Sequence, residues 1–135
     1  MHTGSVMTLP PDVDVLAPDG SEVRVLLSLS RGSMAHFLLP SGQVSRAVRH
    51  RSVEEIWYIL SGHGEMWRAA GDQQEIITLA PGLCLTIPAG VGFQFRSHGN
   101  EPLAAVAITM PPWPGMEEAL PARGPWTPTV AAGSA

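Results

Sequence analysis

The chain is poor in the features that mark several common protein classes. One residue of its 135 is cysteine, Cys84, so no internal disulfide can form and a disulfide-stapled scaffold is excluded. A lone thiol fits a reducing compartment, and the expected location is the cytoplasm. Positive charge is also scarce: eight Lys and Arg against twelve Asp and Glu leave a formal net charge of -4. That balance supplies no basic surface, so no nucleic-acid partner is expected. No apolar run reaches the roughly 18–20 residues a membrane span requires, so no membrane partner is expected either. The N-terminus lacks the basic region and apolar core of a secretory signal. No internal repeat is visible.

What is present points to one domain built from strands. The hydrophobic fraction of 44% excludes a disordered chain, and the length suits a single core. Thirteen prolines and fourteen glycines separate short apolar runs, which is the pattern of many turns and strands rather than long helices. Residues 1–11 carry no periodicity and read as a flexible leader that includes His2. Residues 13–17 and 22–29 flank Pro18-Asp19-Gly20-Ser21, a turn signal, and form a hairpin. Further strands are expected at 34–39, 44–50, 56–60, 64–68, 76–79, 83–87, 93–96 and 103–110. Together they predict an all-β sandwich or barrel over residues 12–110.

Residues 111–128 are too dense in Pro, Gly and Trp for regular strands, and only 116–120 has helical character. Trp113 and Trp126 are large apolar anchors, so this arm is expected to pack on the barrel or on a partner subunit. Residues 129–135 are expected to be a loose tail.

Chemistry concentrates between Arg46 and Gly62, where three arginines, His50, Glu54 and Glu55 directly precede the strand-like run Ile56-Trp57-Tyr58-Ile59-Leu60. Side chains alternate along a strand, so Val44, Arg46, Val48 and His50 share one face, and Glu55, Trp57 and Ile59 share another. A second wall runs from Gly82 to Phe95.

These two stretches resemble the motifs of the cupin superfamily, small β-barrels of jelly-roll type. The first family motif is Gly, five residues, His-x-His, three or four residues, Glu, six residues, Gly. Here Gly42 precedes Val48-Arg49-His50, Glu55 follows, and Gly62 closes the segment. In the second motif Gly82, Pro88 and Gly90 stand at family spacing, and Phe93 and Ser97 occupy its His and Asn places. The resemblance covers roughly residues 22 to 110 and implies a single-domain cupin barrel and a homodimer paired through strands or exchanged termini. Family members usually hold a divalent ion through two motif-one histidines, the glutamate and the motif-two histidine. This chain keeps His50 and Glu55; Val48 and Phe93 replace the other two. Isopropyl and phenyl groups donate nothing to a metal, so a degenerate metal site with no bound cofactor is expected.

Placed on that scaffold, His50 and Glu55 face the barrel mouth and are the candidate catalytic acid and base; a hydrogen-bonded relic pair is the alternative. Arg46 is expected to point inward and fix a substrate anion, unless it pairs with Glu55 or sits at the rim. Val48, Trp57, Phe93 and Phe95 are expected to line an apolar cavity, as a ligand pocket or a plugged core. His36 could serve as an unconventional third ligand or second base, or as an ordinary packed residue. Arg49, Arg51 and Glu54 are expected on the surface, His63 and His98 in exposed turns, Tyr58 and Gln94 facing away from the lumen. Cys84 is expected to be a small buried hydrophobe.

Three functions follow. The first is a metal-independent isomerase, cyclase or lyase acting on a small, partly apolar organic acid or carbonyl compound. The second is a metal-dependent cupin, dioxygenase-like or isomerase-like, using His50, Glu55 and His36. The third is a ligand-binding or sensing barrel without turnover.

Overall fold

The computed structural model describes residues 3–133; His2 lies outside the described residues. The chain runs through β1 (Val15–Leu16), β2 (Glu22–Leu29), β3 (Gly32–Leu39), β4 (Val48–His50), β5 (Glu54–Ser61), β6 (His63–Ala70), β7 (Gln73–Leu79), β8 (Cys84–Ile87), β9 (Gly92–His98) and β10 (Leu103–Met110), then a 3₁₀ turn (Met116–Glu118) and β11 (Ala119–Pro121). Two antiparallel sheets face each other, ordered β1-β2-β3-β10-β5-β8 and β11-β4-β9-β6-β7. This is the jelly-roll barrel expected from the motifs.

Strict alternation builds the interior. Along β5, Glu55, Trp57 and Ile59 are buried, while Glu54, Ile56, Tyr58 and Leu60 are exposed. β10 lies between β3 and β5, and its inward side chains are small: Ala105 is paired with Phe37, and Ala107 with Trp57. Those alanines leave room for Phe37 and Trp57 to stack, with centroids 5.4 Å apart and planes 3° from parallel. The opposite sheet supplies Val48, Phe93, Phe95 and Met66 to the same core. Between β5 and β6 the chain reverses at Gly62, whose φ of 80° and lack of a side chain are both required. A Cβ there would lie 2.2 Å from the carbonyl oxygen of Pro102.

Several sequence expectations need correction. The strand predicted over 44–50 is interrupted: only Val48–His50 is regular, preceded by an isolated bridge between Val44 and Arg96. Ser45 is fully buried, and its hydroxyl accepts a hydrogen bond from Phe95 N–H at 2.9 Å. The two-residue period therefore restarts at Val48, and Arg46 is exposed rather than inward. Cys84 is also exposed, because its partner across β5–β8 is the outward Tyr58. The leader is held at its end, where the Arg24 guanidinium donates to the carbonyls of Pro10 and Pro11. Nor is the tail loose throughout: Val130 packs against the core, and Gly133 N–H donates to Ala17 O at 2.9 Å.

The arm holds more regular structure than its composition suggested. β11 pairs with β4, aligning Ala119 with His50 and Pro121 with Val48. The candidate helix is reduced to the 3₁₀ turn. At its end Glu118 is buried, and its carboxylate accepts from the backbone N–H groups of Ser52 and Val53 and from the Ser52 hydroxyl. Those amides sit in the turn between β4 and β5 and have no strand partner of their own, so the arm satisfies them. Glu118→Ala strands both, and should destabilise the fold by about 2–3 kcal/mol in urea denaturation. Glu118→Gln, which keeps one acceptor, should lose less.

Candidate functional site

A cavity of about 320 Å³ lies between the two sheets, walled also by the β1–β2 turn and by Pro112 and Trp113 of the arm. Its walls are mainly apolar and aromatic, with Phe37, Val48, Trp57, Phe93 and Trp113 among them. The polar groups that reach it include Asp19, Ser33, His50, Glu55 and Thr109. β4 and β9 place Val48 opposite Phe93, so the two positions that carry metal-binding histidines in the family motif form a greasy patch here.

Glu55 is 3% exposed. Its Oε1 accepts a hydrogen bond from Trp57 Nε1 at 2.6 Å, a contact between two inward neighbours on one strand. Burial drives the carboxyl up from an ordinary 4.5 to about 7; the Trp57 bond opposes that rise and the nearby Asp19 carboxyl adds to it. His50 moves the other way. Burial lowers its imidazole to about 4, against a smaller upward pull from Glu118. Its Nδ1 lies 3.8 Å from Glu55 Oε2 and has no hydrogen-bond partner among the described residues. This approach is not an ion pair at neutral pH, because the imidazole is uncharged there.

The ring of His50 is held edge-on between Phe93, at 5.3 Å, and Trp113, at 5.0 Å. Trp113 comes from the arm and is fixed by its backbone N–H, which donates to Ser33 Oγ at 3.0 Å. Ser33 in turn shares a short hydrogen bond with Thr109, from the paired strand β10. Asp19 is held in the β1–β2 turn, where its Oδ1 accepts from Ser21 N–H at 2.8 Å and from the Ser21 hydroxyl at 2.6 Å. Burial pushes the Asp19 carboxyl above its usual range despite those bonds.

The structure thus brings together His50, Glu55, Val48, Trp57 and Phe93. Phe95 is separate from them: it packs beneath Trp57, with centroids 5.2 Å apart, and belongs to the core rather than the cavity wall. Arg46 lies outside, on a groove between barrel and arm. His36 points to the other side of β3 from Phe37, beside Arg24 on the paired strand, and cannot join His50 and Glu55. Its burial and the Arg24 charge both lower its pKa. Gln94 faces away from the lumen as predicted, yet it is buried because the arm covers it; its side chain bonds the backbone of Ser45 and Trp126. Arg49, Arg51, Glu54, Tyr58, His63 and His98 are exposed.

The sequence reading missed Asp19, Thr109 and Trp113. Asp19 was legible only as a turn residue, and Trp113 only as an anchor of unspecified role. The pattern of an all-β chain gives no register for a return segment such as the arm.

These donors do not fit the divalent ion of the family motif. Val48 and Phe93 offer no lone pair, His36 is on another face, and no group of three His, Cys, Asp or Glu side chains among the described residues is placed to hold a metal.

Two measurements follow from this geometry. Trp113→Ala lets water reach His50, so its NMR titration midpoint should rise from about 4 toward the ordinary 6.5. Glu55 is easier to bury neutral than charged, so its contribution to stability is full below pH 4.5 and is lost as pH rises through about 7. Glu55→Gln keeps the Trp57 bond without the titration, and should be more stable than the parent at pH 8 by up to about 3 kcal/mol, with little difference at pH 4.5.

Comparison with known proteins agrees with the barrel. The family model described as "Cupin domain" matches residues 35–109. An uncharacterised protein of Methanocaldococcus jannaschii is 30% identical over 103 residues, covering 73% of this chain and 79% of that protein. Among solved structures, an uncharacterised conserved protein with a double-stranded β-helix domain from Klebsiella pneumoniae superposes with a TM-score of 0.67 at 16% identity, over 90% of this chain and 99% of that one. KdgF from Halomonas sp. gives 0.65 at 14% identity, over 79% and 94%. A variant of Streptomyces PAC13, solved with uridine, gives 0.67 at 10% identity, over 88% and 92%. At such identities the structures speak to the fold alone. No helix among the described residues is long and apolar enough to cross a membrane. With more than half its length matched by the family model and two motifs in family register, the chain belongs to the cupin family.

Proposed function

We propose that this cupin is a proton-transfer enzyme acting on a small, partly apolar carbonyl compound bound in the barrel lumen. One observation carries the reading: a buried carboxyl, which burial favours in its protonated form up to about pH 7, stands 3.8 Å from an uncharged imidazole whose Nδ1 has no partner among the described residues. The pair offers a proton donor and a proton acceptor side by side in a water-poor hollow.

Enolisation uses both. Glu55, protonated, gives its proton to the carbonyl oxygen as His50 Nδ1 removes one from the adjacent carbon. The C–H electron pair becomes the C=C bond, and the C=O π pair becomes the enol O–H. The products of that step are an enol, a Glu55 carboxylate and a His50 imidazolium, and their opposite charges attract at short range in a low dielectric. Returning the proton to a different carbon gives an isomerase. When the Glu55 carboxylate takes the enol proton back, the O–H pair restores C=O, the C=C pair shifts toward the β-carbon, and a β-substituent that leaves with its bonding pair and the His50 proton gives a lyase. Trp57 holds the carboxyl by its N–H, and Phe93 and Trp113 hold the imidazole.

The organic-acid branch of the sequence expectation loses its support, because Arg46 is outside the lumen. The non-catalytic reading is the alternative that the same experiment addresses.

Enolisation can be followed without knowing the natural substrate, as hydrogen–deuterium exchange at the α-carbon of cyclohexanone or phenylacetaldehyde by NMR. The protein should accelerate exchange, and Glu55→Gln should reduce that acceleration by about a hundredfold or more. The step needs neutral His50 and protonated Glu55. The rate should therefore rise with pH through about 4 and fall through about 7. Equal exchange with the parent and the Glu55→Gln variant would remove the acid/base role and leave the binding reading.

A further inference from the structure

The chain has no lysine, so its eight basic side chains are all arginines. None of them lines the cavity. Arg24 is spent on the leader carbonyls, Arg68 pairs with Glu75, and Arg96 pairs with Glu65 while lying over the Trp126 ring. Arg51 donates to the Glu117 carbonyl. Arg31, Arg46, Arg49 and Arg123 are exposed on the outside.

The titratable groups that line the lumen are Asp19 from the β1–β2 turn, His50 from β4 and Glu55 from β5. Two are carboxyls and the third is uncharged at neutral pH. Asp19 and Glu55 stand close enough for the charge of one to act on the other. A ligand carboxylate or phosphate entering this space would give up its hydration and find no cation among the described residues, beside carboxyls that themselves become negative as pH rises. In an interior of low dielectric an unpaired charge is strongly disfavoured. The aromatic walls and the Ser33, Thr109 and carboxyl groups suit instead a ring with neutral oxygen or nitrogen substituents.

We propose that the lumen selects by charge: its ligand is an uncharged ring-sized compound, anions are refused, and Asp19 together with Glu55 enforces the refusal. Asp19 is assigned here a selectivity role that its place in a turn did not announce. The inference shares the lumen with the proposed proton transfer and narrows its substrate to neutral carbonyl compounds. It concerns binding alone, so it stands or falls separately: benzamide binding without exchange activity would sink the enzyme reading and leave this one intact.

The test compares benzamide with benzoate, which match in shape and differ in charge, by NMR line broadening or tryptophan fluorescence on the full chain at pH 8. Benzamide should bind at least about tenfold more tightly than benzoate, a difference of about 1.4 kcal/mol. In Asp19→Asn, whose Oδ1 can still accept both Ser21 bonds, the preference should shrink by about threefold or more; a folded parent-like spectrum confirms the turn. Benzoate binding as tightly as benzamide overturns the proposal, and so does failure of benzamide to bind at millimolar concentration. An unchanged preference in both Asp19→Asn and Glu55→Gln overturns the assignment to these carboxyls.

Discussion

Burying a carboxyl without a cation is the constraint from which the rest of the site follows. Glu55 is forced inward by strand alternation, since Trp57 and Ile59 on the same face anchor β5 in the core. Turning Glu55 outward would turn both of them into solvent, at a cost of roughly 1.5–3 kcal/mol for each large side chain. The fold therefore tolerates the carboxyl, and does so by the least expensive route, a single hydrogen bond from Trp57 and a neutral state near pH 7. An imidazole beside it, equally dehydrated, becomes neutral from the other side. Opposite shifts from one cause leave the carboxyl protonated and the imidazole uncharged together between about pH 4 and about pH 7.

The arm maintains that dehydration. β11 extends the five-stranded sheet beside β4, and Glu118 closes the amides of the β4–β5 turn. Those two attachments bring Trp113 over His50, where it completes the wall of the cavity. A segment composed largely of Pro, Gly and Trp has little capacity to fold alone, because it offers few backbone donors and no alternating face. Its order comes from edges and orphan amides that the barrel leaves available. Stability and site chemistry are coupled through this segment: the contacts that hold the arm in place also keep water from the imidazole.

Much of the architecture was legible from residue pattern. The hairpin turns, the strand at 103–110 and the inward set Glu55, Trp57, Ile59 follow from turn chemistry and a period of two. The site was legible in part, and the failures share a physical origin. Parity counted backwards from His50 turns Arg46 inward, and a buried Ser45 that bonds the neighbouring strand interrupts the period between them. Cys84 was read as buried from its chemistry, although its register puts it beside Tyr58 on an exposed face. Asp19 and Trp113 reach the lumen from a turn and from the arm, and no local pattern records which cavity a turn or an irregular segment will meet. Tertiary register decides those positions.

The two replaced motif positions then explain the character of the cavity together. In the family motif, imidazoles at 48 and 93 would supply donors to a cation, and a cation would hold Glu55 ionised. Valine and phenylalanine at those places remove donors and hydration in one change, and they face each other across β4 and β9. The same two side chains that offer a metal no donor beside His50 and Glu55 make the surroundings of that pair apolar enough to shift both. A polar side chain at 48 would hydrate the lumen and return Glu55 toward an ordinary carboxylate without touching it.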